Sequence, residues 1–521
     1  MTESNHKLPL TEKVGYSLGD AAANFVWRST FFLPIFYTDT FGLTAAHVAV
    51  LLLVVRLTDG VTDIIMGSIA DRTDTKHGKF RPWVLWTAPI VGLFLALLFT
   101  TPDVSYNMKL AYAYFIYFGL TLAYTANNVP YGALMGVMTP DVKERSLLSG
   151  FRFVGAFGGG LLVMGLNRRL VDYFGGGDEA LGYRNTMAVF AVLLVVFSVV
   201  TFFTTKERIK PPKAEQRPIG ELFRSLPVIL IPVAGLSCFF IALAQEDWSI
   251  GVKAAAAGLC LAAFAATVRV RKQLLNKPDE GLNPSQRDLK DLLDNKPWLM
   301  LLIIGILFGL FTVVRPSSVS YYFKYYLHQE QLVDQYFVLT LVASLVAALL
   351  TGYASKYVSK RLLFVIAFAG GSIFSIGVYW VQPEQLTLLF TLAIIGEFFA
   401  GMMPVVFFSM LGDSADYSEW KHGRRATGLV YSAGTFIMKT GHGFAGAVVL
   451  IVLSMWGYNK NVASTLDTSV EAFKLLMSWI PGVVCAFGIL MVAFYPLTTK
   501  KLTEIEQALK ERRAKATGAQ V

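Results

Sequence analysis

HVAVLLLVVRLTDGVTDIIMGSIA, residues 47–70, reads as a membrane-crossing stretch, yet it carries Arg56, Asp59 and Asp63. A spacing of four puts the two carboxylates on one face of a helix, where they repel unless something positive lies between them. Ionised groups at bilayer depth are costly, face a bundle interior and mark ion or proton pathways. One guanidinium, Arg56, does not easily neutralise two buried acids, so a transported cation is the simplest partner for the pair.

The rest of the chain agrees with that placement. Over 521 residues, 54% are hydrophobic, 16% are charged and 39 are Phe, with a mean hydropathy of +0.52. Crossing about 30 Å of hydrocarbon takes roughly 18 apolar residues. Such runs fall near 15–39, 46–70, 82–101, 108–134, 146–171 and 182–204, then 226–245 and 250–268, then 298–326, 332–355, 361–381, 386–411, 427–455 and 472–497. The chain therefore reads as an all-α polytopic membrane protein of about fourteen spans.

The net charge of +10 does not point to nucleic acid, because the basic residues alternate by loop and form no single surface. Arg72, Lys76, Lys79 and Arg81, then Lys143 and Arg145, then Lys356, Lys360 and Arg361, then Lys421, Arg424 and Arg425 mark cytoplasmic loops. Both termini are expected inside, in an inner or plasma membrane. The polar first dozen residues and long first span predict no cleavable signal. Cys238, Cys260 and Cys485 fall within spans and imply no disulfide framework.

The chain divides into a six-helix bundle over 1–205, basic linkers with an inserted helix pair over 206–297, a second bundle over 298–497 and a basic tail over 498–521. Short amphipathic helices are expected near 217–225 and 284–294, and the tail is helical in pattern. The only acids of the inserted pair, Glu246 and Asp247, lie in its turn, so the pair is read as an accessory outside the transport path.

GSIADRTDTKHGKFRPW, residues 67–83, links the second and third spans, and GYASKYVSKR, residues 352–361, is a degenerate copy in the second half. The first resembles the loop motif of the major facilitator superfamily, which implies two six-helix bundles with a substrate site between them. GYSLGDAAANFVW, FYTDTFGL, RLTDGVTDIIMG, HGKFRPW, YTANNVPYGAL, VRPSSVSYYFKYY and DSADYSEWKHGRRATG narrow the resemblance. Together they look like the glycoside, pentoside and hexuronide cation symporters, the melibiose carrier group.

That resemblance implies a coupling ion, sodium or a proton, held by Asp59 and Asp63 with the hydroxyl of Thr125. Thr62 stands where the melibiose carriers have an amide. It implies a lysine in the penultimate span, Lys439, with Thr435 one turn before it. The melibiose carriers grip sugar hydroxyls with acids where this chain has Asn24 and Asn128. Arg28, Arg152, Arg315 and Lys439 then leave the cavity relatively positive, and Arg grips carboxylates in a two-pronged geometry. An acidic glycoside such as a hexuronide is therefore expected over a neutral galactoside, with Trp27, Tyr124 and Trp380 as candidate stacking rings. Asp20, among the entry residues of the first span, is read as structural.

On the inner side, Asp71, Arg72, Asp74 and Arg81 are expected to form gate ion pairs. Asp413, Asp416, Glu419 and Lys421, beside Arg424, read as a charge network locking one face. No nucleotide loop, zinc-spaced set or catalytic triad is visible, so a non-hydrolytic, monomeric carrier surrounded by lipid is expected, with no cofactor beyond the coupling ion. A lipid or lysolipid carrier and a non-transporting membrane sensor are the alternatives left open.

Overall fold

In a computed structural model, the structure describes residues 7–139, 142–209, 227–245, 248–279, 282, 284–355, 357–423, 427–459 and 462–517. Among these residues it is helical, with one isolated bridge between Thr75 and Gly78. Six helices make up the first half: α1 Leu10–Ser29, α2 Ala45–Arg72, α3 Arg81–Leu98, α4 Tyr106–Met138, α5 Val142–Gly175 and α6 Glu179–Thr204. The inserted pair is α7 Pro227–Ala244 and α8 Ile250–Leu275, followed by α9 Pro284–Asp294. The second half holds α10 Lys296–Tyr321, α11 Val333–Ala354, α12 Lys360–Gly377, α13 Leu386–His422, α14 Thr427–Met455, α15 Ala463–Met477 and α16 Trp479–Ala493, before the tail helix α17 Thr499–Thr517.

Helices stand at all fourteen apolar stretches read from the sequence. Ten of them, among the described residues, are long and apolar enough to cross a membrane by length and composition, with shorter apolar helices at Ala45–Arg56 and Ile231–Leu243. The last span is broken at Ser478, where φ is −127° and ψ −83°. Pro481 explains the break, because its ring would clash with the carbonyl of Met477 in a continuous helix. The amphipathic helix expected near 284–294 is α9, whereas 217–225 lies outside the described residues.

The chain packs as two compact units. Unit 1 takes in Met1–Ile219, Phe323–Leu341 and Asn459–Leu466, and unit 2 takes in Gly220–Tyr322, Val342–Tyr458 and Asp467–Val521. In unit 1, α1 lies tight against α5 because Gly155 and Gly159 have no side chains. A Cβ on Gly155 would stand 1.9 Å from the Ser17 carbonyl oxygen, and one on Gly159 would stand 2.5 Å from that of Ala21. In unit 2 the matching close crossing is α10 on α14, where a Cβ on Gly309 would meet the Met438 carbonyl at 2.6 Å and one on Gly441 that of Ile306 at 2.6 Å. Aromatic and sulfur side chains fill the unit 2 core, among them Trp298, Phe308, Phe364, Phe368, Met403 and Phe407. Here α7 packs on α14, with the rings of Phe240 and Phe444 5.1 Å apart.

One end of unit 1 is closed by the tetrapeptide Lys206–Ile209. The Glu207 carboxylate accepts from the N–H groups of Lys79, Phe80 and Arg81 at 2.8, 2.8 and 2.9 Å, sitting on the positive end of α3. Gly78, at φ +107°, leaves room for it, since a Cβ there would stand 2.5 Å from that carboxyl group. Arg208 grips Glu12 with two bonds of 2.7 and 2.8 Å, and this pairing pushes its guanidinium up from its ordinary value. Lys206 N–H donates to the same Glu12 at 2.9 Å, while the N–H groups of Arg208 and Ile209 donate to the Val137 carbonyl. Glu207→Gln keeps one acceptor and loses the charge, so it is expected to lower unfolding stability by about 1–2 kcal/mol. The melting midpoint in detergent checks this.

Candidate functional site

The long helix α2 starts from an N-cap at Thr44 and runs through Arg56, Asp59, Thr62 and Asp63. It packs on α4, which carries Tyr124, Thr125 and Asn128. The Thr125 hydroxyl lies 3.1 Å from Asp59 Oδ1 and 3.1 Å from Asp63 Oδ1, so one oxygen bridges both carboxylates. Asp59 is buried at 3% exposure. Arg56 Nη1 reaches Asp59 Oδ2 at 3.7 Å, and its guanidinium lies over the Trp27 ring at 5.0 Å. Thr62 is turned the other way: its hydroxyl donates to the Asp59 carbonyl of its own helix at 2.9 Å. Hard oxygen ligands around a negative centre suit a small cation or a proton.

A second cluster lies on α1, α4 and α5. Arg152 Nε pairs with Asp20 Oδ2 at 3.2 Å, and its guanidinium lies over the Tyr131 ring at 5.5 Å. Tyr131 stacks on Tyr16 at 4.8 Å and donates to the Tyr16 carbonyl at 2.8 Å. Asp20, read from the sequence as a structural acid, is thus the counter-charge of a candidate solute-binding arginine. Tyr124 precedes Thr125 on α4.

The remaining candidates of unit 1 fall out as follows. Asn24 donates to the Asp20 carbonyl of its own helix at 2.9 Å. Arg28 lies over the Phe31 ring at 5.6 Å and beside Gly160. Asn128 Oδ1 is buried and accepts no hydrogen bond in the structure, while its neighbour Asn127 is held by the Val84 carbonyl and the Thr87 hydroxyl. In unit 2, Arg315 is buried in α10 against Gly396 of α13. Thr435 and Lys439 lie one turn apart on α14, both half-buried, just before the Gly441 crossing. Trp380 is a correction: it is 62% exposed, edge-on to Tyr379 and Trp479 at one end of α12, and so faces the surroundings with other aromatic rings.

Of the charges expected to form gate pairs, only some have described partners. Arg81 donates to the Phe202 carbonyl at 2.6 Å and lies over the Phe202 ring at 4.8 Å, so it ties α3 to α6. Arg72 is exposed at the end of α2, and the Asp71 side chain and Arg424 lie outside the described residues. Asp416 and Glu419 sit in the last turns of α13, where Arg512 of α17 donates to the carbonyls of Glu419 and Trp420. Lys360 pairs with Asp413 at 2.6 Å, and Lys421 with Asp294 at 2.5 Å.

Sequence reasoning missed a further charged cluster in unit 1 that joins Asp39, Arg168, Glu179, Lys324 and Glu330. The available signal was the likeness of FYTDTFGL and SYYFKYY, each closing the first helix of its half.

A family model described as MFS/sugar transport protein matches residues 15–246 and 249–499. The chain belongs to the glycoside-pentoside-hexuronide cation symporter family of the major facilitator superfamily. The carrier is 32% identical to the putative glycoside/cation symporter YagG of Escherichia coli strain K12, over 98% of this chain and 96% of that one. It is 30% identical to an isoprimeverose transporter of Lactiplantibacillus pentosus, over 96% and 92%. Among solved structures, it shares its fold with the xylose transporter XylE from E. coli at a TM-score of 0.55, with 13% identity, covering 94% of this chain and 98% of that chain.

Proposed function

We propose that the chain is a secondary active transporter that carries a sugar or glycoside together with a small cation, sodium or a proton, by alternating access in the inner membrane. The observation that carries this reading is Thr125 of α4 bridging Asp59 and Asp63 of α2. Occupation of that site by a cation neutralises the acids and permits the solute site to close, after which the carrier reorients and releases both inside.

The charge of the solute is the finer part of the proposal. Arg28, Arg315 and Lys439 support an acidic glycoside such as a hexuronide. A neutral glycoside is the second reading, and the Asp20–Arg152 pair favours it, because a paired arginine offers less attraction to a carboxylate. Uptake of a glycoside panel in proteoliposomes, with sodium and proton gradients imposed separately, tests both. Uronide uptake driven by one of the gradients is expected; uptake of neutral sugars alone makes the second reading the right one. Unchanged sugar uptake in Asn128→Ala would favour a lipid carrier, and absence of cation-dependent counterflow for every solute would favour a sensor.

A further inference from the structure

His422, in the last turn of α13, has an acid on either side of its ring. The helix stops at Gly423, which takes a left-handed φ of +70° and donates its N–H to the Glu419 carbonyl. Nδ1 of His422 lies 3.5 Å from Asp291 Oδ1, and Nε2 lies 3.5 Å from Asp294 Oδ2. Both acids belong to the last turn of α9, and Asp291 is buried. An ionised carboxylate only accepts hydrogen bonds, and a neutral imidazole has one N–H to give. Neutral His422 therefore turns a lone pair toward one of the two acids, and its Nε2 is buried without a hydrogen bond. The imidazolium carries an N–H on each nitrogen and satisfies both.

The surrounding charge favours the proton as well. Lys421 Nζ pairs with Asp294 Oδ2 at 2.5 Å, so two acids share one fixed cation until the ring is protonated. All four groups lie at the negative ends of their helices, where a cation is favoured and a carboxylate is not. Glu419, three residues back on α13, adds an acid to the same face. Arg512 of α17 opposes the imidazolium, since it donates to the carbonyls of Glu419 and Trp420 at 3.4 and 2.8 Å. The other cations are committed elsewhere: Lys501 lies over the Trp420 ring, Lys290 pairs with Asp279, Arg287 holds the Leu282 carbonyl, and Lys296 is exposed at the start of α10. The side chains of Asp288, Arg424 and Arg425 lie outside the described residues.

Within unit 2, α9 is the piece of chain that joins the inserted pair to the second bundle. Leu274 of α8 packs on Leu289 and Leu293, and Arg271 of α8 donates to the Leu293 carbonyl at 2.8 Å. We propose that His422 is a proton-binding regulatory site: its imidazolium clasps Asp291 and Asp294 and so fastens α9, with α8 attached, to the end of α13, and loss of the proton loosens α9. The inserted pair is then tethered according to the pH on the side of the basic loops. The inference goes beyond the carrier reading, and its test involves no solute.

Histidine side chains change charge between about pH 5 and 8. Amide hydrogen exchange over residues 284–294 is read in the full-length protein in detergent at about pH 6 and about pH 8, corrected for intrinsic chemical exchange and referred to α6. The native chain is expected to protect α9 about tenfold more at the lower pH, the worth of one charge-assisted hydrogen bond. His422→Gln keeps a donor and an acceptor but cannot gain charge. It is expected to protect α9 equally at both pH values, within about twofold of the native chain at the higher one. His422→Arg, always charged, is expected to keep the native low-pH protection at both. A native chain without pH dependence overturns the proposal, and so does a dependence that survives in either variant, because another group would then be titrating. Should both variants fail to fold, Asp291→Asn decides: with one acid gone, the dependence is expected to shrink to about threefold or less, and a full tenfold dependence overturns the clasp. Failure to find a transported sugar leaves the exchange result intact and bears only on the functional reading.

Discussion

Asp63→Asn is expected to abolish gradient-driven accumulation while solute exchange continues. Moving one charge through 100 mV is worth about 2.3 kcal/mol, which corresponds to about 50-fold accumulation of a coupled solute. With one of the two acids neutralised and the cation no longer held, that ratio falls to about one. The single variant is the cleaner one, because Asp59 keeps Arg56 company at 3.7 Å and leaves no unpaired guanidinium behind. Replacing both acids gives the same loss of coupling with an added cost in stability. Thr125 keeps a hydrogen-bonding partner in either case, since an amide both donates and accepts. Accumulation ratios in proteoliposomes, measured beside solute counterflow, check the result; uphill uptake in Asp63→Asn would remove the cation site from α2.

Gly155→Val is expected to leave almost no folded carrier. The obstacle to any Cβ at this position is not a flexible side chain but the backbone of α1: the Ser17 carbonyl oxygen at 1.9 Å and its carbon at 2.7 Å. That carbonyl belongs to the helix ladder and cannot turn away, so α1 and α5 must separate. Even one methyl group of overpacking costs typically 1–3 kcal/mol, and two helices forced apart cost more. Separation also pulls Asp20 away from Arg152, leaving each charge without its partner. Gly158 is the matched control, as nothing lies within 4 Å of a Cβ there. Gly158→Ala is expected to be neutral or to stabilise by about 0.5–1 kcal/mol through helix propensity alone. Monodisperse yield and melting midpoint in detergent separate the two.

The spans, the carboxylate pair on α2 and the family motifs are properties of local sequence, since hydropathy and a spacing of four report directly on a helix and its faces. What a face meets is not local. Nothing in the residues around Asp20 and Arg152 says that two helices separated by more than a hundred residues bring them to 3.2 Å. Trp380 illustrates the same limit from the other side, because an aromatic ring at the end of a span suits a sugar pocket and a membrane interface equally. The break at Ser478 was within reach, as Pro481 sits inside an apolar run that hydropathy alone reads as continuous. The cluster around Lys324 was not, because five charged residues from four segments acquire meaning only when folded together.

Lys206–Ile209 has a consequence for how the polypeptide matures. The loop before α3 and the acid at the start of α1 both wait for partners that lie 126 to 196 positions downstream. At ordinary elongation rates of about 5–20 residues per second, the ribosome spends roughly 10 s between making Arg81 and making Glu207. During that interval the N–H groups at the head of α3 have only water or lipid headgroups to satisfy them. The first bundle therefore finishes this end in one late step, when four residues leave the exit tunnel.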